Sequence, residues 1–289
     1  MEVETPVLGR YGVTDINIDS IPASPAPVAG GYSDGWLQTS PEYHMKRLLA
    51  SGAGPIYQVA RVFRDGESGR RHNPEFSLLE WYRPGFTDSE LMAEVSELVC
   101  GWLGCDAPDT MRYRDVFLRF AGIDPFLATD SELSSRCKQW MEPSRLQSLS
   151  RDECLDLLMS CQVEPALTEI GPVFITGYPE SQAALARVSE QEGFRQAHRF
   201  ELYVQGVELC NGYWELTDKE EQQRRFAADN QARHSAGKPE MSVDKAFLAA
   251  LDAGVPDCSG VALGLDRLLM LKLGLGDLAG VIAFPADRA

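Results

Sequence analysis

Two apolar runs closed by a basic, glycine-punctuated loop constrain this chain more than any other stretch. Tyr57 to Phe63 and Phe76 to Tyr82 are apolar or aromatic and read as two strands. The run Val62–Phe76 joins them through the turn pairs Asp65-Gly66 and Ser68-Gly69, with Arg64, Arg70, Arg71, His72 and Asn73 alongside. A strand pair that presents Arg64 beside a flexible basic loop suits a triphosphate. Arginine offers planar, permanently charged donors to phosphoryl oxygens. The plainer reading is a solvated hairpin tip, since charge runs are often only surface.

The chain has 289 residues, 44% of them hydrophobic, enough to bury one large core or two small ones. No apolar run reaches the length of a membrane span, and no signal peptide leads the sequence. Its seven cysteines (Cys100, Cys105, Cys137, Cys154, Cys161, Cys210 and Cys258) are scattered and form no C-x-x-C pair. That pattern predicts reduced, cytoplasmic thiols and neither a disulfide frame nor a zinc site. A net charge of −16 argues against a grip on a long nucleic acid.

Met1 to Pro6 reads as a strand already under way, and residues 9 to 35 as a long loop rich in Gly, Pro, Ser and Asp, with Pro22, Pro25, Pro27, Gly30 and Gly31 close together. Trp36 to Thr39 is a short strand. Ser40-Pro41-Glu42 opens a helix, with Ser40 as N-cap and Pro41 at the first helical position, that stops at Gly52. Thr87 to Glu90 forms a capping box before a helix that buries Leu91, Val95, Leu98, Val99 and Trp102. Residues 105 to 170 read as a helical insertion covering the sheet. Pro172 to Thr176 is a buried strand. Thr217 to Glu220 is a second capping box opening a polar surface helix, and a short helix spans Asp244 to Asp252. Cys258 to Gly264 is a glycine-rich strand running into a helix whose early Arg267 can meet a ligand.

A hairpin runs from His198 to Val204, turns at Gln205-Gly206 and returns from Val207 to Leu216. Pairing Val204 with Val207 sets Tyr203 against Glu208 and Glu201 against Cys210, so Glu201 and Glu208 share one face. Two carboxylates so close call for a cation, and oxygen-only ligation suits magnesium; a solvent-facing pair is the alternative. Asn211-Gly212 reads as a bulge that lets Glu215 rejoin that face. There is no Walker A run, no G-x-S-x-G and no H-E-x-x-H. A nucleotide would be held by antiparallel strands and arginines.

In this order the pieces resemble the catalytic domain of the class II aminoacyl-tRNA synthetases, lysyl branch. Val3 to Pro6 is similar to the tail of motif 1, Phe63 to Glu67 to motif 2, and Gly264 to Arg267 to motif 3. The match is closer to the lysyl-tRNA synthetase paralogues that modify elongation factor P. It rests on Thr39 to Leu48, His72 to Phe76, Leu79 to Pro84 and Pro256 to Gly264. The resemblance covers nearly all of the chain and is loose in 105–170.

It implies an α+β class II fold, a single catalytic domain over 1–289 built on an antiparallel sheet flanked by helices. It also implies ATP as substrate, Mg²⁺, and activation of lysine or (R)-β-lysine to an adenylate for transfer to an amine. Carried over residue by residue, Arg64 would hold the α-phosphate and Arg267 the γ-phosphate. Phe76 would stack on the adenine, with Asp65, Gly66, His72, Asn73, Leu209 and Gly264 around the nucleotide. Glu201 and Glu208 would hold magnesium, and Glu208 would also border the ATP. Glu42 would meet the substrate α-amine beside Ser40, Pro41 and Asn211, and Glu80, Tyr82 and Glu215 would receive the side-chain ammonium. Ala262 stands where the lysyl-tRNA synthetases carry glycine and the paralogues alanine, which favours the β-isomer.

The resemblance places the start of the catalytic domain at residue 1, without an anticodon-binding domain or the motif 1 helix. With the acidic charge, that points to a lysine of elongation factor P as acceptor, with no tRNA and no membrane. A homodimer is expected if the motif 1 helix precedes Val3. Two other readings stay open: a tRNA-charging enzyme, and a weakened relic that binds amino acid or nucleotide.

Overall fold

The computed structural model describes residues 1–24, 34–142, 144 and 149–289. Pro25, Pro27, Gly30 and Gly31 of the expected loop lie outside them. In chain order the main elements are β1 (Leu8–Gly9), β2 (Pro22–Ala23), β3 (Gly35–Leu37), α1 (Glu42–Ala50), β4 (Ile56–Phe63), β5 (Glu75–Pro84), α2 (Asp88–Leu103) and β6 (Asp109–Arg112). Then come α3 (Tyr113–Val116), α4 (Asp130–Cys137), α5 (Arg151–Leu158), α6 (Glu164–Leu167), β7 (Val173–Pro179), β8 (Val188–Gln191), β9 (Phe194–Val204) and β10 (Val207–Trp214). The last are α7 (Lys219–Ser235), α8 (Lys245–Ala253), β11 (Cys258–Gly264) and α9 (Leu265–Lys272). They form two compact units, one of Met1–Thr87 with Leu216–Ala289 and one of Asp88–Glu215.

In the first unit β5 is the middle strand, paired antiparallel with β4 and β11. Strand period then fixes what shares a face. Phe76, Leu78, Glu80 and Tyr82 of β5 lie level with Val62, Ala60, Gln58 and Ile56 of β4, and Gly264, Ala262 and Gly260 of β11 lie on the same side. The opposite face carries Tyr57, Val59, Trp81 and Val261. The first residues join β4 in parallel: Val3 N–H donates to Tyr57 O at 2.9 Å and Tyr57 N–H to Met1 O at 3.0 Å. β1 and β2 flank β3 as a separate small sheet, in which β2 falls inside the expected loop and β3 overlaps the expected strand at Trp36 and Leu37.

The start of α1 differs from expectation by one residue. Pro41 occupies the N-cap position, while Ser40 Oγ still accepts the Glu42 N–H at 3.3 Å. At α7 the cap is Asp218, which accepts the Glu221 N–H at 2.8 Å. The expected box is one residue out of register, because Glu221 turns to Arg224 and Arg225.

The second unit runs β10-β9-β7-β6, antiparallel except for the parallel pair β6–β7, with β8 on the first half of β9. Its core packs Tyr113, Phe117, Leu133, Leu155, Leu158, Val163 and Leu167 of the insertion on Val173, Ile175 and Tyr203 of the strands. The stretch 105–170 is therefore not wholly helical: four residues of it, β6, pair with β7. At Gln205-Gly206 both residues have positive φ, 53° and 68°, as a two-residue hairpin turn that follows the strand twist requires. A Cβ on Gly206 would also fall 2.4 Å from Glu164 O, so glycine is demanded twice. In α2, Leu91, Val95 and Val99 are buried, but Leu98 and Trp102 are 43% and 45% exposed. Helical period places them on the apolar stripe, yet the two side chains stay partly open to solvent while Val99 beside them is fully buried. All seven cysteines are free thiols. No helix among the described residues is long and apolar enough to cross a membrane.

Candidate active site

In the first unit, strand register brings five expected residues onto one ladder face. Glu80 and Tyr82 are each 2% exposed, and the Tyr82 hydroxyl donates to Glu80 Oε1 at 2.7 Å. Ala262 stands directly opposite Glu80, with Phe76 and Gly264 further along the same face. Gln58 pairs with Glu80 from the other side, is 5% exposed, and its Oε1 has no hydrogen-bond partner among the described residues. Sequence reasoning missed Gln58, although alternation along β4 with Ala60 and Val62 marks it as inward-facing. A buried amide oxygen beside a buried carboxylate offers acceptors to a cationic group.

Glu42, on the first turn of α1, is compensated from within the chain. Lys46 Nζ, whose side chain is 0% exposed, donates to its Oε1 at 2.7 Å. Helical spacing makes the pair, because residues four apart lie one above the other.

The β4–β5 loop holds the expected phosphate ligands. Arg64 donates its backbone N–H to Pro74 O at 2.9 Å, and its guanidinium lies over the Phe76 ring, 5.1 Å from the centroid. Arg64 Nη1 lies 3.5 Å from Glu67 Oε1, while the buried Nε has no acceptor among the described residues. Asp65 N–H donates to Asp19 O at 2.8 Å, and Gly66 takes the turn with φ 74°. Arg267, on the first turn of α9, donates through Nε to Arg71 O at 3.2 Å and through Nη2 to His72 Nε2 at 2.9 Å. His72 accepts on Nε2 and is neutral there; burial first, then the Arg267 charge, lower its pKa. Asp266 fixes the start of α9 on β5 by accepting the Ser77 N–H at 2.6 Å. Asn73 is placed less freely than expected. Its Nδ2 donates to Glu75 O at 2.7 Å and its Oδ1 accepts Ala286 N–H at 3.0 Å, so it braces the loop.

In the second unit the β9–β10 register corrects one expectation. Glu208 lies opposite Tyr203, as anticipated, but Glu201 faces Asn211 instead of Cys210. The bulge falls at Leu209, between Glu208 and Cys210, one ladder step before Asn211-Gly212. One extra residue there turns Asn211 onto the face of Glu201 and Glu208 and sends Cys210 to the other side. Leu209, expected near the nucleotide, is the buried bulge residue, 2% exposed.

Glu201 is 5% exposed and heavily engaged. The hydroxyls of Tyr178 and Tyr203 donate to Oε2 at 2.5 and 2.7 Å, and Arg199 Nη2 donates to Oε1. Burial, then the Glu201 charge, raise both phenols well above the ordinary value, so they remain donors. Burial is the largest single influence on Arg199 and opposes its charge, but the charge of Glu201 and its hydrogen bond, with Tyr213 and Tyr178, together hold the guanidinium pKa well up. A carboxylate has about four acceptor positions, so three donors leave about one. Asn211 Oδ1 is buried without a partner among the described residues. Although no group of three His, Cys, Asp or Glu side chains that could hold a metal ion occurs among the described residues, the acceptors that Glu201, Glu208 and Asn211 bring to this face are all oxygen. That fits magnesium, which keeps several places for water and phosphate. Glu215 is 1% exposed and anchors through its backbone: Arg187 Nη2 donates to its carbonyl at 3.3 Å.

Residues 1–288 match the family model described as tRNA synthetases class II (D, K and N). This chain belongs to that family of class II synthetases. Among its relatives, the elongation factor P--(R)-beta-lysine ligase of Pasteurella multocida (strain Pm70) is 46% identical over 290 residues, 100% of this chain and 89% of the relative. The protein of the same name from Proteus mirabilis (strain HI4320) is 49% identical over 294 residues, again 100% and 89%. Family membership accounts for the antiparallel strands and flanking helices of an α+β fold.

Proposed function

We propose that this class II synthetase activates (R)-β-lysine with ATP and transfers it to a lysine side chain of elongation factor P. The observation that carries the reading is kinship along the whole chain, at 46% and 49% identity, with two ligases of that printed name. The ladder face of Glu80, Tyr82, Gln58 and Ala262 supports it, since a buried ammonium needs paired acceptors. Residues 1–289 then act as one catalytic domain, and the acceptor is a protein amine with no tRNA required.

In this reading the substrate carboxylate attacks the α-phosphorus of ATP, pyrophosphate leaves and an aminoacyl-adenylate forms. The acceptor amine then attacks the acyl carbon, and AMP leaves. No protein nucleophile is needed: Arg64 and Arg267 meet the charge that develops on the phosphoryl oxygens. Phe76 takes the adenine, and Glu42 with Ser40 and Pro41 takes the backbone end of the amino acid. Glu80 and Tyr82 take its side-chain ammonium. Glu208 and Asn211, with the remaining acceptor position of Glu201, would hold magnesium. When bound, magnesium neutralises phosphate charge; Tyr178, Tyr203 and Arg199 keep Glu201 oriented whether or not it is there.

The test is the intact mass of elongation factor P after incubation with this protein, ATP, magnesium and (R)-β-lysine. The expected result is a gain of one lysyl unit on one lysine. No gain, with lysine charged onto tRNA in a parallel incubation, would replace the reading with the tRNA-charging one. No gain and no amino-acid-dependent pyrophosphate release would leave the binding relic.

A further inference from the structure

The loop tip Arg70–Asn73 is held at four consecutive residues by α9 and the segment behind it. Leu278 N–H donates to Arg70 O at 2.9 Å. Arg267 Nε donates to Arg71 O at 3.2 Å and its Nη2 to His72 Nε2 at 2.9 Å. Ala286 N–H donates to Asn73 Oδ1 at 3.0 Å. Two of the four contacts come from α9 itself and two from main-chain donors that follow it.

The route of the chain explains the arrangement. After α9 the chain turns back at Gly274, where Leu275 N–H donates to Met270 O at 2.9 Å. That returns Leu278, 4% exposed, to the loop. Further on, a turn with Arg288 N–H donating to Pro285 O at 2.8 Å presents the Ala286 N–H outward to Asn73. Arg288 Nη2 donates to Ala279 O at 3.2 Å and ties the turn back to the segment. The loop also closes on itself, through Gly69 and His72, whose N–H groups donate to each other's carbonyls at 3.1 and 3.2 Å.

We propose that the segment Asp277–Arg288 is a positioning element for the nucleotide: it clasps Arg70 and Asn73 so that Arg64, Arg267 and His72 are preset for the phosphates. The inference rests on the ATP-binding reading above and adds residues to it. Ordering a polar loop costs about 1–2 kcal/mol of backbone entropy per residue. A clasp that meets this cost in the free protein removes it from binding. Its donors are backbone groups, which is why no side-chain motif advertises it. The clasp acts through the loop and touches no substrate itself. Its effect therefore falls on affinity for ATP and not on turnover at saturation.

Ala286→Pro isolates the contact. Ala286 is the second residue of its turn, where proline is favoured, so the turn survives while the donated N–H is lost. Ala286→Gly keeps the N–H and serves as the conservative control. One neutral hydrogen bond corresponds to about a fivefold change in binding. The expected result is a KM and Kd for ATP raised about fivefold in Ala286→Pro, kcat unchanged, and near wild-type values in Ala286→Gly. Binding linkage is reciprocal, so ATP alone, added without amino acid, must slow hydrogen exchange of the Leu278 and Ala286 amides in the wild-type chain. Equal ATP affinity in the two variants, or unchanged exchange at both amides in saturating ATP, overturns the clasp. Failure of the wild-type chain to bind ATP at all would overturn the functional reading, and the clasp with it.

Discussion

Gly212→Ala adds one methyl group in the middle of β10, and the structure says where it goes. The new Cβ would lie 2.3 Å from Phe200 Cζ, 2.7 Å from Cε1 and 2.8 Å from Cε2. Carbon atoms rest about 3.5 Å apart or more, so the ring must retreat by about 1.2 Å. It has nowhere to go. Phe200 is 0% exposed, pairs directly with Gly212 across the ladder, and meets Phe174 edge-on at 5.8 Å. Overpacking of this kind costs about 1–3 kcal/mol, and three short contacts on a confined ring put this case near the upper end. In a chain of this size that lowers the thermal midpoint by about 4–10 °C. Thermal unfolding followed by circular dichroism measures it. Phe200→Leu in the same chain removes the ring edge, so the double variant should be less destabilised than the two single effects added together, by about 1 kcal/mol or more. Wild-type stability of Gly212→Ala, or strict additivity in the double variant, would refute the close packing of ring on backbone.

Arg267→Ala should abolish adenylate formation, read as amino-acid-dependent pyrophosphate exchange; a wild-type rate would remove Arg267 from the phosphate site. Ala262→Gly takes away the methyl group facing Glu80 and should move preference towards α-lysine by about 1–3 kcal/mol, measured as the ratio of kcat/KM for the two isomers. An unchanged ratio would show that Ala262 does not set it. Burial first, then Arg47 for His44 and Arg267 for His72, hold both imidazoles below the ordinary value of 6.5. The unfolded chain therefore takes up these protons first, and stability should fall as pH drops from about 6.5 through the lowered values. In urea titrations across that range, His44→Gln with His72→Gln should flatten the slope, and an unaltered slope would refute the assignment.

Much of this molecule is legible in local sequence. Alternation over β4, β5 and β11 places Phe76, Glu80, Tyr82 and Ala262 on one face, because side chains in a strand alternate with a period of two. The Gln205-Gly206 turn fixes the β9–β10 hairpin and hence the pairing of Tyr203 with Glu208. Both depend only on neighbours in the chain. The bulge did not follow from sequence, because either Leu209 or Asn211-Gly212 could take the extra residue. Packing decided it, with Gly212 seated on Phe200.

What only the tertiary structure decided are the partners brought from far along the chain. Asn73 looks like a free polar residue in a basic loop, but its amide oxygen is met by a backbone N–H 213 residues away. Glu201 reads as an open metal ligand until Tyr178, 23 residues earlier, donates to it. Leu98 and Trp102 carry the helical signal of a buried face and lie exposed. Sequence period reports which way a side chain points, and only the assembled chain supplies what it meets.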